Sequence, residues 1–340
     1  MVRQPIVRQP ISGPAAWRGE QLREPAEWTI QLSAEQIEDI EQALAGCEAR
    51  RLSLFDVGRE DFPLPVAGPA LEALSSGLED GHGFALLRGL PVARWGEARS
   101  RLALWGLGTH LGWAEVQDAA GNLMHDVRDV GRRFGSDDTI RYFQTRESID
   151  FHNDGADIFA LMCLKAGLQG GRSRLASAVE VFNEIVRRRP DLAEVLQQPF
   201  HFDARGQHSG GARTQHIPVY AFEQGAPSII MKSMYIRAAQ RFEDVPPLSQ
   251  AQVEALALLD SIPEEPGMAL EFDLSPGDVL FGNNHTVLHA RTAFTNRDEP
   301  GEQRHLLRLW LTVPNGRPLP PHYADTREFG PSYARRVRAR

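Results

Sequence analysis

His152 and Asp154 stand two residues apart in Phe151-His152-Asn153-Asp154-Gly155, and in an extended strand residues at i and i+2 project from the same face. An imidazole and a carboxylate presented together can hold one metal ion. The pair is incomplete by itself. A two-histidine, one-carboxylate facial site, which leaves positions open on iron(II), needs a second imidazole. The stretch Gly282-Asn283-Asn284-His285-Thr286-Val287-Leu288-His289-Ala290-Arg291 offers two. His289 is favoured, because it follows an apolar Val287-Leu288 step and precedes the basic Arg291, which suits an inward-facing ligand beside a charged co-substrate. His285, after two asparagines, reads equally well as a buried residue bonded to nearby backbone.

Arg304 and Arg308 are separated by three residues, so in a strand they face one side. A guanidinium turned into a barrel interior leaves a charge in low dielectric unless an anion meets it. A dicarboxylate co-substrate is one such anion, and an internal Asp or Glu is the other. Gln117 and Asp157 border segments expected near the metal and, with Arg308, are the candidate substrate contacts. Phe151 and Phe159 read as core aromatics.

The elements that must position these groups are mostly short strands. Residues 1–16 open with Val2-Arg3-Gln4-Pro5-Ile6 repeated as Val7-Arg8-Gln9-Pro10-Ile11 and read as a flexible arm. Ser33 with Gln36 forms a capping box that starts a helix reaching about Arg50, and a weaker helix is expected from about Arg94 to Leu107. Residues 121–136 read as a loop near the site, a natural substrate lid. Ser177 and Ser249 open two more helices. Apolar or alternating runs predict strands within 83–91, 158–164, 199–203, 217–222, 228–232, 268–273, 279–281 and 306–313. Residues 321–340 read as a solvated tail. The pattern predicts a mixed α+β fold with a double-stranded β-helix core, a cupin-like jelly roll, in one domain over 17–320 with helical insertions. Glycine-rich dinucleotide and phosphate-loop motifs are absent from the sequence.

Composition narrows the class. The 340 residues carry a net charge of −8, with 42% hydrophobic and 24% charged residues, which is ordinary globular composition. Dispersed acidic residues argue against nucleic acid or an anionic membrane as partner. Two distant cysteines, Cys47 and Cys163, imply neither a disulfide framework nor a cysteine metal cluster. No apolar run reaches the ~20 residues of a membrane span, and no signal-peptide core is present. The expectation is a cytoplasmic protein with a small-molecule substrate; a homo-oligomer is left open.

The combination FHNDGAD, GGRS, NNHTVLHARTAF and RHLLRLW resembles the taurine and 2,4-dichlorophenoxyacetate dioxygenase (TauD/TfdA) family, in the clavaminate-synthase-like superfamily of iron(II)/2-oxoglutarate oxygenases. The similarity extends from about Trp17 to Pro320. It implies that His152, Asp154 and His289 bind iron(II), and that Arg304, about fifteen residues after the distal histidine, grips the far carboxylate of 2-oxoglutarate. Ser173, after Gly170-Gly171-Arg172, stands where the family usually has a threonine assisting at that carboxylate, although closer to the metal pair than in the taurine enzyme. Arg308 falls where some members carry a substrate-facing arginine. Halogenating relatives lack the carboxylate ligand, whereas Asp154 is kept here. The resemblance therefore implies oxygen insertion or hydrogen removal, most readily hydroxylation of a small polar, amino-acid-like or carboxylate metabolite, with O2 consumed and succinate and CO2 released. Desaturation or cyclisation on the same centre remains an alternative, as does a non-redox cupin-like metal module. A structural zinc site would need a fourth protein ligand, and none stands out.

Overall fold

The computed structural model describes residues 6–132, 141–206 and 211–339. Ile158 to Leu164, the longest apolar run, becomes the strand Ile158–Lys165 at the centre of a seven-stranded sheet. It is flanked by Val279–Asn283 and His305–Thr312, with Phe84–Arg88 and then Thr29–Gln31 beyond the first, and Trp113–Ala114 and Met124–Val127 paired to the second. Thr29–Gln31 runs parallel to Phe84–Arg88, and the other pairings in this sheet are antiparallel. A four-stranded antiparallel sheet follows the order Leu270–Phe272, Ser173–Ser177, Val287–Arg291, Ile149–His152.

Strand alternation assigns the layers. On His305–Thr312, Leu307, Leu309 and Leu311 join a core with the helices Ala34–Ala49, Gly68–Asp80 and Val92–Leu111. Leu306 and Trp310 turn the other way, into a core shared with Leu175 and Val287 of the four-stranded sheet. On Val287–Arg291, Leu288 and Ala290 pack outward with the helices Ala178–Arg188, Pro190–Leu196 and Gln250–Ser261. The two sheets therefore lie face to face between helical layers, and every strand residue of 279–283 and 305–312 is buried, as a sheet covered on both sides requires. Period-two alternation then leaves His289 and Arg291 on one inner face, and Arg304 and Arg308 on the other.

Local signals held where they were strong. Ser33 accepts from the Gln36 amide while the Gln36 side chain accepts from the Ser33 amide, at 3.2 and 3.0 Å; Ser249 and Gln252 repeat the arrangement. Four readings are corrected. Within 121–136, Met124–Val127 is a strand held against His305–Thr312, and 133–136 lie outside the described residues. The arm is docked from Val7 onward, its amide on Gln197, Arg8 on Glu194 and the Ile11 amide on Asn183. The C-terminal stretch is not a solvated tail: Gly330–Ala339 is helical, with Arg336 buried and donating to the carbonyls of Val313 and Arg317. Helices Pro190–Leu196 and Ser233–Ala239 were not foreseen. Among the described residues no helix is long and apolar enough to cross a membrane.

The Met124–Val127 strand is pinned by charge. Asp126 meets His305 at 2.6 Å and also pairs with Arg101, and the His305 hydrogen bond, ahead of Arg101, holds its carboxyl down to about 2. A carboxylate depressed in the fold stabilises above its ordinary value and loses that contribution as pH falls toward the folded value. The melting temperature should therefore drop between about pH 4 and pH 2, and Asp126→Asn should flatten that segment of the curve. A curve of equal slope in the variant would assign the acid loss elsewhere.

Candidate active site

His152 closes its strand opposite His289 in register, and their rings lie 4.3 Å apart. Asp154 lies past the strand end, so strand alternation does not place it. Asn284 does: its side-chain oxygen accepts from the Asp154 amide at 3.0 Å, and its amide group donates to the carbonyls of Gly155 and Ala156. Asn153 staples the same turn to Ile229 and Met231. Ala156 sits at φ 60°, a left-handed conformation that surrounding bonds must hold. Donor atoms of His152, Asp154 and His289 all fall within 4.8 Å of one another.

The electrostatics suit a metal. His152 Nδ1 lies 2.8 Å from the Asp150 carbonyl, which can only accept, so this nitrogen carries the proton and Nε2 keeps its lone pair. Burial lowers the pKa of both imidazoles, that of His289 to about 3, leaving the neutral rings that ligate metals. Burial alone would raise the Asp154 carboxyl, but Arg308, His289, His152 and Lys232 together outweigh it and hold the group well below the usual range. Asp154 also accepts from the Trp310 indole at 3.0 Å and from Arg308 at 3.2 Å. Cys163 is no fourth ligand, since burial pushes its thiol up to about 12. A second His–carboxylate group, Glu97, Asp126 and His305, already contains Arg101 as its cation.

These residues open on a cavity of about 850 Å³, whose lining includes Ser173, Arg291, Arg304 and Arg308. Arg304 is buried with no carboxylate partner among the described residues. Its Nη1 is unpartnered, Nη2 only reaches the Gly171 carbonyl at 3.4 Å, and burial lowers its pKa to about 10. Gly170 and Gly171 both have positive φ; a Cβ on Gly171 would meet Arg304 Nε at 2.8 Å, so Gly171 makes room for the guanidinium, while Gly170 packs on the Ala293 backbone. A buried, unsatisfied cation lining the same cavity as three residues whose donor atoms could hold a metal fits an anionic co-substrate. Arg291, which the sequence showed only as a basic neighbour, also lines the cavity. It donates to the carbonyls of Thr145 and Glu147, with Nε and Nη1 unpartnered.

Two sequence expectations change, and one left open is narrowed. Arg308, read either as a substrate contact or as the partner of an internal carboxylate, pairs with Asp154 and donates from Nε to the Gln117 oxygen at 2.8 Å. Gln117 reaches the cavity, but its amide is used, donating to the carbonyls of Leu123 and Arg308 at 2.9 Å. Asp157 does not join the cluster: it meets His285 at 2.9 Å, the Val313 amide at 2.8 Å, and Arg336. His285 stacks on Phe329 at 4.3 Å, away from the cavity lining. Asn284 and Trp310 were missed, because neither type marks a metal site without its long-range partner.

Two facing sheets carrying a two-histidine, one-carboxylate donor set beside an uncompensated arginine define the class of mononuclear non-haem iron oxygenases that use an anionic co-substrate. The family profile described as Taurine catabolism dioxygenase TauD, TfdA family matches residues 28–310, and the chain belongs to that family. It is a 2-oxoglutarate-dependent non-haem iron dioxygenase, using iron(II), 2-oxoglutarate and O2. FR-33289 synthase of Streptomyces rubellomurinus is 30% identical over 322 residues, 93% of this chain and 94% of the relative. A uridine-5'-phosphate dioxygenase of Amycolatopsis sp is 25% identical over 280 residues, 78% and 95% of the two chains. Among solved structures, an asparagine oxygenase with Fe(II), 3-hydroxyasparagine and succinate superposes with TM-score 0.65 at 21% identity, covering 84% and 94%. The iron oxygenase OrfP with Fe and α-ketoglutaric acid gives 0.62 at 18%, covering 83% and 93%.

Proposed function

We propose that His152, Asp154 and His289 hold iron(II), that Arg304 with Ser173 receives the far carboxylate of 2-oxoglutarate, and that the enzyme hydroxylates an unactivated C–H bond of a small polar, amino-acid-like or carboxylate metabolite, releasing succinate and CO2. The two sheets are then the halves of a double-stranded β-helix. The observation that carries this reading is the buried Arg304 guanidinium, which lacks an anion while facing the cavity that the three donor residues line. One neighbour is named for asparagine and one relative for uridine 5'-phosphate, and OrfP is seen in complex with hydroxyarginine, all small and polar.

When bound, iron(II) with 2-oxoglutarate and O2 supplies the oxidising equivalent. The chain's own part is placement. Asp150 fixes the His152 tautomer, Asn284 and Asn153 fix the turn carrying Asp154, and Trp310 with Arg308 orients its carboxylate. Phe159 lies 4.3 Å from the His289 ring and, with Leu161, Leu175, Leu280 and Leu306, keeps the inner wall apolar and excludes water. Such placement replaces entropy otherwise lost in the reaction. The test is anaerobic addition of iron(II) and then 2-oxoglutarate to apo protein, watching for the visible charge-transfer band of the chelate. A band that strengthens on addition of 2-oxoglutarate, followed by succinate release with an amino acid or carboxylate under air, is the expected result. Metal uptake without any 2-oxoglutarate response would leave a metal-binding module.

A further inference from the structure

Eight Arg or Lys side chains line the cavity against five Asp or Glu. Several of the cations are already matched: Arg308 by Asp154, Arg237 by Asp260 and Lys232 by Glu328. Arg304 and Arg291 belong to the co-substrate end. Arg205, Arg141 and Arg327 remain, and of these Arg141 and Arg327 form no ion pair among the described residues. Both line the same cavity as Arg308. Burial first, then the charges of Arg327 and Arg205, lower the Arg141 pKa against the opposing pull of Tyr235 and Asp203, and the charge of Arg327 also lowers the pKa of Arg308. The carboxylates nearby offset this positive charge only in part, since Glu328, which feels Arg327, is bonded by Lys232 and Gln215, and Asp203, which feels Arg141, is held by Arg241. Tyr235 completes the group, with Lys232 Nζ 5.9 Å and Arg205 Cζ 6.0 Å from its ring centroid.

A cavity wall that holds two arginines with no ion-pair partner among the described residues carries an excess of positive charge that an anionic ligand can answer. One carboxylate would answer one of them. Two planar donors and a phenol lining one cavity match the several oxygens and double charge of a phosphoryl group. We propose that the Arg141 and Arg327 side of the cavity, with Tyr235, seats a dianionic phosphoryl head group, a phosphate monoester or a phosphonate, on the molecule that is oxidised. This deepens the functional reading above and rests on it. The substrate class becomes small phosphoryl-bearing metabolites, with the carbon to be oxidised on the side of the head group facing His152. The volume of about 850 Å³ leaves room for both ends, being within the range of small-molecule sites.

The test uses full-length protein loaded anaerobically with iron(II) and saturating 2-oxoglutarate, so that Arg304 is engaged, and titrates ethylphosphonate, ethyl phosphate and propionate by calorimetry. Ethylphosphonate or ethyl phosphate should bind at least about tenfold more tightly than propionate, and the tighter of the two identifies the source of the head group. Arg141→Gln and Arg327→Gln should each weaken the phosphoryl probe about tenfold, as expected for one charge-assisted contact, and the double variant about a hundredfold. Arg141→Lys and Arg327→Lys should lose less than the glutamines. Throughout, the 2-oxoglutarate chelate band should stay within error of wild type, and the melting temperature of the ligand-free protein should not fall. Equal affinity for propionate, or phosphoryl binding that survives the double substitution, overturns the inference while leaving the oxygenase reading intact. Absence of the chelate band in the wild type overturns that reading first.

Discussion

Arg304→Leu should weaken 2-oxoglutarate binding about a hundredfold while leaving the metal-free protein slightly more stable. The two effects share one cause. The guanidinium is buried over the Phe294 ring at 5.1 Å, with Nη1 unpartnered and one long contact to Gly171. A buried ion without its counter-ion is a net cost to the fold, and an apolar replacement of similar size is commonly neutral or stabilising. Against this stands the lost cation–π contact, about 0.5–1 kcal/mol. A gain of about 1 kcal/mol, or about 2 °C in melting temperature, is expected. When 2-oxoglutarate arrives, two charge-assisted hydrogen bonds at about 1.5 kcal/mol each are made, which corresponds to about 10²-fold in affinity. Arg291 is the internal contrast: its guanidinium holds the Thr145 and Glu147 carbonyls, so Arg291→Leu should destabilise. The measurements are an anaerobic 2-oxoglutarate titration and a melt of the metal-free protein. A lower melting temperature with unchanged 2-oxoglutarate affinity would make Arg304 a structural cation.

Much of this site was legible because it is periodic. His289 and Arg291 share a face by the two-residue repeat of a strand, as do Arg304 and Arg308, and the apolar residues between them pack on the opposite layer. Period alone fails at Asp157. The chain turns at Gly155 and Ala156, with φ 60° at Ala156, and the counting that serves within Ile149–His152 does not carry across. The same turn is why Asp154 is placed by Asn284 and not by its strand. Arg308 was readable as a cation facing inward, and its anion is Asp154, the carboxylate of the candidate donor set. Met124–Val127 and Gly330–Ala339 were missed for a different reason. Their stability comes from partners far along the chain, the strand His305–Thr312 in one case and Val313, Arg317 and Asp157 in the other. Neither segment has a local pattern that announces such partners.

The two histidines that the sequence left in competition should separate cleanly by substitution. His289→Ala removes a neutral imidazole whose donor atoms have little else to do: Nδ1 is unpartnered and Nε2 lies 3.8 Å from Asp154. The fold should lose only ring packing against Phe159 and His152, about 1–2 kcal/mol, whereas iron(II) affinity should fall by at least about 10²-fold, more than substitutions beyond the ligands typically cost. His285→Ala should do the reverse. It strips Asp157 of a 2.9 Å partner in a fully covered setting and deletes a ring stacked on Phe329. Asp157 retains Arg336 and the Val313 amide, so the expected loss is about 3 kcal/mol, toward the lower end for breaking a buried charge network. Iron(II) affinity in His285→Ala should stay within about threefold, because Asp157 and His285 lie outside the donor cluster. Denaturant melts and iron titrations of both variants decide it. If His285→Ala loses the metal and His289→Ala keeps it, the donor set has been assigned to the wrong histidine, and the orientation of the whole Val287–Arg291 strand toward the cavity falls with it.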